Sequence, residues 1–189
     1  MNSELPDIEF LFNAAVRFHQ QGNLQRASEL YDRVQSIDPL HVMSLNNQAL
    51  IARAVGRLDL SLKMLKQALQ LEPDNFEILV NLGRVFLQNN QALEAEYYLE
   101  AALQINSSDK KLKIYLAKAL HRQGRHSEAS SLFDEMLQQD GNKFDLFYAL
   151  GTISAKEQNN EKALEFFRKA LEIRPQDNQT LEWITELSA

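Results

Sequence analysis

Three asparagines, Asn13, Asn47 and Asn81, recur along the chain at intervals of 34 residues. A side-chain amide carries both a hydrogen-bond donor and an acceptor, so a row of amides matches the backbone of an extended peptide without requiring a particular side chain. A second set of polar residues is basic and consists of Arg53, Arg84, Lys118 and Arg122. Such cations attract carboxylates, and a guanidinium can hold one through two parallel hydrogen bonds. These residues therefore favour binding chemistry.

Residues of the kind that carry catalysis do not occur at catalytic spacing. The chain has no cysteine, which excludes disulfides, thiolate metal sites and a cysteine nucleophile. His121 and His126 are separated by a predicted break between helices, whereas a metal pair on one helix needs i, i+4 spacing. No glycine-rich phosphate loop and no serine-centred elbow is present. We therefore predict that the chain is not an enzyme and binds no cofactor or metal.

The composition is that of a folded protein, with 44% hydrophobic and 24% charged residues. The formal net charge of −6 argues against binding to nucleic acid or to an anionic membrane, because both need a basic surface. The first ten residues lack the charged start and apolar core of a secretory signal. No window of about 18 residues is apolar enough to span a bilayer. We therefore expect a cytoplasmic protein without membrane insertion.

The predicted helices that carry these polar residues repeat with the same 34-residue period. Each period carries two successive patterns of apolar residues at the i, i+3, i+4, i+7 spacing of an amphipathic helix. In the first period, the first of these patterns consists of Leu11, Ala14, Ala15 and Phe18. The repeats are predicted at 8–41, 42–75, 76–109, 110–143 and 144–177, followed by a helix at 178–189. A fixed period with two helices indicates a helical solenoid, here a single domain over 1–189.

The residue after the first helix of each repeat is suited to a left-handed backbone. Gly22, Gly56, Asn90 and Gly124 occupy this place in repeats one to four. Repeat five has Gln158 there, and we expect Asn159 and Asn160 to supply the turn instead.

Small residues occupy the same two places in every repeat. On the first helix they are Ala15, Ala49, Gly83, Ala117 and Gly151. On the second helix they are Ala27, Ser61, Ala95, Ala129 and Ala163. A large side chain at either place would hold the two helices apart and leave voids. Four residues later come the large residues that fill the space between repeats, namely Tyr31, Leu65, Leu99, Phe133 and Phe167.

This arrangement resembles the tetratricopeptide repeat. The resemblance covers residues 8–177 and is carried by small residues at the eighth and twentieth places, a large one at the twenty-fourth and proline at the thirty-second. It implies an all-α fold of about 11 helices, stacked in antiparallel pairs as a right-handed superhelix whose concave face is lined by the first helices. Such proteins generally bind peptides or protein segments and are not enzymes by themselves. The helix at 178–189 resembles the cap of such arrays.

The resemblance also implies which side chains face the concave groove. Asn13, Asn47, Asn81 and Tyr115 stand at the sixth place of their helices, which resembles the asparagine ladder of O-linked N-acetylglucosamine transferases. The four cations stand at other groove places, and Tyr148 is a candidate aromatic contact. Asparagine at the sixth place also serves local polar needs, and the cations also fit a solvated surface, so these alternatives stay open. Trp183 is interpreted either as an anchor at the end of the groove or as a cover for the last repeat.

Together these features predict an interaction module or adaptor that holds an extended, acidic or polar segment of another protein. The candidate peptide-binding residues are Asn13, Asn47, Asn81, Arg53, Arg84, Tyr115, Lys118, Arg122 and Tyr148. The carboxylate clamp of chaperone-binding arrays is not reproduced, because Val16 and Leu50 stand where it needs asparagine. Two alternatives remain. The chain is the substrate-recognition array of a larger glycosyltransferase, sulfotransferase or methyltransferase, or it is a self-assembling scaffold whose exposed end docks on another copy.

Overall fold

The computed structural model describes residues 7–138, 143–156 and 158–188. Over these ranges the regular structure consists of eleven α-helices and contains no strand. The helices are α1 Ile8–Gln20, α2 Leu24–Ile37, α3 Val42–Ala54, α4 Leu58–Leu71, α5 Phe76–Gln88, α6 Ala92–Ile105, α7 Lys110–Arg122, α8 His126–Gln138, α9 Lys143–Lys156, α10 Asn160–Ile173 and α11 Asn178–Leu187. The prediction of an all-α fold with about eleven helices is confirmed.

Capping residues set the starts of the first helices. The Asp7 carboxylate accepts from the Glu9 N–H at 3.0 Å, and the Asp109 carboxylate accepts from the Leu112 N–H at 2.9 Å. Asn75 caps α5 in the same way. Each cap satisfies an N–H group that has no partner inside its helix. The caps therefore fix the residue at which each of these helices begins.

The turn between the two helices of a repeat requires a left-handed residue. Gly22, Gly56 and Gly124 have φ values of +77°, +78° and +78°, and Asn90 has φ +58°. Gln158 adopts the same conformation with φ +59°, while Asn159 caps α10 by accepting from the Lys162 N–H at 3.2 Å. The expectation that Asn159 and Asn160 supply this turn was therefore wrong. The helix junction imposes the conformation at this place, although it costs a side-chain-bearing residue about 1–2 kcal/mol.

The chain forms two compact units, which we call unit 1 (Met1–Ile105) and unit 2 (Asn106–Ala189). In unit 1 the helices pair as α1 with α2, α3 with α4 and α5 with α6, and α2 and α4 each also pack on the next pair. In unit 2 the pairs are α7 with α8 and α9 with α10, and α11 packs on α10. The assignment of one domain to residues 1–189 stays a prediction.

The core lies where the small and large residues of the repeats meet. Tyr31, Leu65, Leu99, Phe133 and Phe167 all have no exposed surface. A Cβ atom added to Gly83 would lie 2.5 Å from Leu99 Cγ, and one added to Gly151 would lie 2.6 Å from Phe167 Cδ1. Two of the five helix pairs thus approach closely enough to require glycine.

The contact between repeats one and two is more polar than its equivalents. Ser44 is fully buried, and its hydroxyl has no hydrogen-bond partner within the described part of the chain. Gln48 is also buried; its amide donates to Asp32 and accepts from the Gln35 amide at 2.6 Å. In repeats three, four and five, the place of Ser44 holds Ile78, Leu112 and Leu146, all of them buried. Gln48 therefore brings a polar side chain into the contact between α2 and α3.

Replacement of Gly83 by alanine tests the close approach. Helix propensity alone would stabilise the protein by about 1 kcal/mol. We expect instead a net loss of about 1–3 kcal/mol in the free energy of unfolding, because the added methyl group meets Leu99 in a filled core. Denaturant titration measures the change, and a more stable variant would show that α5 and α6 can separate without cost.

Candidate peptide-binding surfaces

The three ladder asparagines lie at the same place on α1, α3 and α5 of unit 1, but they differ in burial. Asn13 is exposed, Asn47 is half-buried and Asn81 is only 7% exposed. The Asn81 amide donates to the Asn46 Oδ1 atom of the preceding repeat at 2.9 Å. Asn81 therefore joins two repeats, whereas Asn13 presents its amide to solvent.

Asn47 lies near the hydroxyl of Tyr31 in the preceding repeat. That hydroxyl is buried and has no hydrogen-bond partner within the described residues, and burial raises the pKa of Tyr31. The edge of the His19 ring meets the Tyr31 ring, with centroids 6.4 Å apart. Asn47 is therefore close to a buried polar group, and its role in peptide binding stays a prediction.

Arg53 and Arg84 lie on α3 and α5 of the same unit. Both side chains are half-buried, and both interact with other groups of the protein. A ligand that used them would replace existing interactions.

Unit 2 contains a cleft of about 260 Å³ between α7, α9 and α11, which we call the basic cleft. It brings together three of the predicted residues, Lys118, Arg122 and Tyr148. The remaining lining residues are His121, Thr152, Ile153, Lys156 and Trp183. Tyr115 lies on α7 one turn before Lys118 and is not among the residues that line this cleft.

The aromatic wall of the basic cleft, formed by Tyr148 and Trp183, packs against the core residue Phe167. The Trp183 ring stacks on Phe167 with centroids 5.7 Å apart and planes 14° apart, and the Tyr148 ring meets Phe167 at 5.9 Å. The Tyr148 hydroxyl donates to the Gln179 Oε1 atom of α11 at 3.4 Å. Trp183 therefore covers the core of repeat five with one part of its surface and lines the cleft with another, and its role as a binding anchor stays a prediction.

Lys118 is a cation in a partly dry place. Burial lowers the pKa of Lys118, the negative charge of Asp145 opposes that shift, and the positive charge of Arg122 adds to it. In physical terms, the folded chain holds this ammonium group away from water and close to another cation. Holding a charge at this place costs more free energy than holding it on the open surface.

Two histidines that the sequence predicts on different helices are in contact. The turn at Gly124 brings the Nδ1 atoms of His121 and His126 to 2.8 Å from each other. At that distance one ring must donate and the other accept, so the pair shares one Nδ1 proton. Helix periodicity cannot reveal this contact, because the tight turn and not a shared helix face creates it. Within the described ranges, no group of three or more His, Cys, Asp or Glu residues could hold a metal ion.

Residues 40–181 match the family described as the cytochrome c-type biogenesis protein H TPR domain. The chain belongs to this tetratricopeptide-repeat family. The predicted tetratricopeptide fold is confirmed, and with it the general class of the protein, a scaffold for protein interaction that is typically not catalytic. None of the helices described is both long and apolar enough to cross a membrane.

Individual relatives agree with this assignment. A crystal structure of YrrB, a TPR protein with an unusual peptide-binding site, superposes with a TM-score of 0.73 at 27% identity and covers 93% of this chain and 91% of that chain. A thermophilic TPR protein of Thermus thermophilus has a TM-score of 0.76 at 16% identity, with 96% of this chain and 98% of that chain covered. The human protein O-mannosyl-transferase TMTC1 is 26% identical over 141 residues, which is 75% of this chain and 16% of that protein. The tetratricopeptide array therefore spans a small part of this curated relative.

The position of His19 predicts a pH dependence of stability. Burial lowers the pKa of His19, so the unfolded chain takes up a proton near the ordinary value of about 6.5 while the folded chain takes it up only at lower pH. This contribution to stability is present above the unfolded pKa and is lost as the pH falls through the folded pKa. We expect the free energy of unfolding to decrease less between about pH 7 and pH 5 in His19→Gln than in the wild type. Parallel pH profiles in denaturant titrations would contradict this.

Proposed function

We propose that this tetratricopeptide array is a protein-interaction module that binds an extended acidic segment of a partner protein, with the basic cleft as its main contact. The observation that carries the proposal is the environment of Lys118. Its ammonium group lines the cleft together with Arg122 and is partly desolvated, a cost that the negative charge of Asp145 offsets in part and that a bound carboxylate would reduce further.

The other cations of the cleft support the proposal less strongly. Arg122 is in the last turn of α7, and Lys156 is in the last turn of α9. Cations at helix C-termini are stabilised by the helix dipole, so their presence needs no ligand. Lys118 lies one turn earlier and has no such explanation. An anion in the cleft would nevertheless meet all of these charges.

The aromatic wall suggests what accompanies the carboxylate. Tyr148 and Trp183 present rings beside the cations, and the volume of about 260 Å³ suits one or two side chains. Rings of this kind bury large apolar area at a small entropic cost. We therefore propose that the bound segment places an apolar or aromatic residue next to its acidic one, and that the protein acts in the cytoplasm.

Unit 1 contributes more weakly in this proposal. Within unit 1, Asn13 and Asn47 can contact the backbone of an extended segment, while Asn81 maintains the contact between repeats two and three. Affinity is modest, because an extended segment loses conformational entropy when it binds.

The variant Lys118→Met tests whether Lys118 contributes to peptide binding without contributing to the stability of the fold. Trp183 is the single tryptophan of the chain and lines the cleft, so its fluorescence reports occupation directly. With a short peptide of alternating glutamate and phenylalanine as the probe, we expect affinity to fall about tenfold. The midpoint of thermal unfolding should stay the same or rise, because a desolvated charge is removed.

The matched control for this experiment is Lys111→Met, on the same helix but exposed and outside the cleft. It removes the same charge from the whole protein and should change affinity by less than about twofold. Equal losses of affinity in Lys118→Met and Lys111→Met would show that the effect is general electrostatic attraction. They would refute the proposal that the peptide binds in the basic cleft. A glutamine–phenylalanine peptide that binds as well as the glutamate peptide would refute the acidic ligand.

The asparagines differ in their expected effects. Asn13→Ala and Asn47→Ala should each weaken the binding of a fluorescently labelled extended peptide to unit 1 by about two- to fivefold through one lost hydrogen bond, with thermal stability close to that of the wild type. Asn81→Ala should lower the free energy of unfolding by about 1–3 kcal/mol, because it leaves the buried Asn46 amide without its donor. Fluorescence titration and thermal unfolding measure the two effects. A destabilised Asn13→Ala, or an unchanged Asn81→Ala, would contradict this division.

A second candidate function is supported by the human relative. The match to an O-mannosyl-transferase covers 16% of that protein, and a chain of this kind can serve as the substrate-recognition array of a larger transferase. Detection of the native protein at a mass well above that of these 189 residues would favour this function. A native mass equal to that of these residues would exclude it.

A further inference from the structure

Unit 1 has a second surface that the proposed function does not use. A groove of about 750 Å³ runs between α4 and α6, the second helices of repeats two and three, and we call it the second-helix groove. Its walls include Leu69, Tyr97, Tyr98 and Ile105, with Lys66 and Asp74 as its charged residues. None of the candidate peptide-binding residues lines it.

The groove has apolar side chains that the fold leaves uncovered. Tyr97 is 68% exposed and Ile105 is 50% exposed. Tyr98 stacks on Phe86 with centroids 5.4 Å apart and planes 3° apart, and its ring in turn supports the edge of Tyr97 at 5.1 Å. An exposed tyrosine held by a stacked partner in an open groove is the kind of preformed apolar contact that partner proteins use.

The charge of the groove differs between its ends. Gln70 of the last turn of α4 and Gln104 of the last turn of α6 both line the groove, and neither last turn contains a basic residue. The carbonyl ends of the two helices therefore carry uncompensated partial negative charge here, to which Asp74 adds a full charge. Lys66 lies earlier on α4, with its Nζ atom 5.5 Å from the centroid of the Phe86 ring.

We infer that the second-helix groove docks an amphipathic helix of a partner protein, with the apolar face of that helix on Tyr97 and Ile105 and a basic residue directed at Asp74. A third helix laid between two neighbouring helices fills a groove of this form with side chains at i, i+3, i+4 and i+7. Asp74 and the carbonyl ends of α4 and α6 favour a basic residue at that end of the docked helix. A second copy of this chain is a poor occupant, because its net charge of −6 repels an equal charge.

The test uses a labelled amphipathic peptide of about 16 residues, with leucines on one face and arginines near one end, because shorter peptides form helices poorly. Fluorescence anisotropy measures its binding to the full chain. We expect Tyr97→Ala to weaken binding about tenfold, since a central aromatic contact is lost. Leu93→Ala is the matched control, because Leu93 lies on the same helix with 69% of its surface exposed but does not line the groove. It should change affinity by less than about twofold.

Two charge variants test whether the partner helix is basic, and they should change the affinity of the arginine peptide in opposite directions. Asp74→Asn should weaken binding about two- to fivefold, and Lys66→Glu should strengthen it by a similar factor. The same peptide with glutamate in place of arginine should bind more weakly to the wild type, should bind more tightly to Asp74→Asn and should bind more weakly to Lys66→Glu.

Several results would overturn the inference. They are equal losses in Tyr97→Ala and Leu93→Ala, a preference for the glutamate peptide, and no measurable binding of either peptide. Self-association in light scattering that Tyr97→Ala abolishes would also overturn it, because the occupant would then be a second copy. Tyr97→Ala should leave the Lys118-dependent binding of the acidic peptide unchanged, so the two surfaces fail or succeed separately.

Discussion

The structure depends on the close approach of the two helices within each repeat. That approach requires a small residue at the eighth and twentieth places, and it creates the space that one large side chain then fills. The demand is strictest in repeats three and five, where the methyl group of an alanine would already overlap Leu99 or Phe167. Every other feature of the molecule is placed by this contact, because it sets the rotation of each helix and so decides which side chains face a neighbour and which face solvent.

The candidate binding surfaces arise where the repeats depart from this apolar scheme. Lys118 and Arg122 are polar residues on a helix whose opposite face is buried in the core. They lie beside the rings of Tyr148 and Trp183 because α9 and α11 present their own first-helix faces to the same cleft. The repeat thus fixes the positions of the helices. Differences between repeats at single surface positions give each unit its own candidate binding groups.

Two side chains of the candidate surfaces lie where they do not favour the stability of the unbound protein. The desolvated charge of Lys118 is unfavourable in the unbound protein, and the exposed ring of Tyr97 forgoes the burial that an apolar side chain normally gains. Residues retained at such a cost are more informative about function than the many satisfied core residues. The buried hydroxyl of Ser44 is different, because it lines neither the basic cleft nor the second-helix groove. Its burial without a partner costs stability and offers no binding group.

The helices, their starts and the pairs of small and large residues can all be read from the amino-acid sequence, because each follows from local capping chemistry or from a period repeated along the chain. Lys118, Arg122 and Tyr148 could also be named as binding candidates, although nothing in their spacing showed that they share one cleft. The burial of Asn81 against Asn46, the contact of His121 with His126 and the left-handed turn at Gln158 came from the packed structure. These three outcomes depend on how one helix lies against the next. Periodicity gives the face on which a residue lies, whereas burial and hydrogen bonding depend on what the neighbouring helix places against that face.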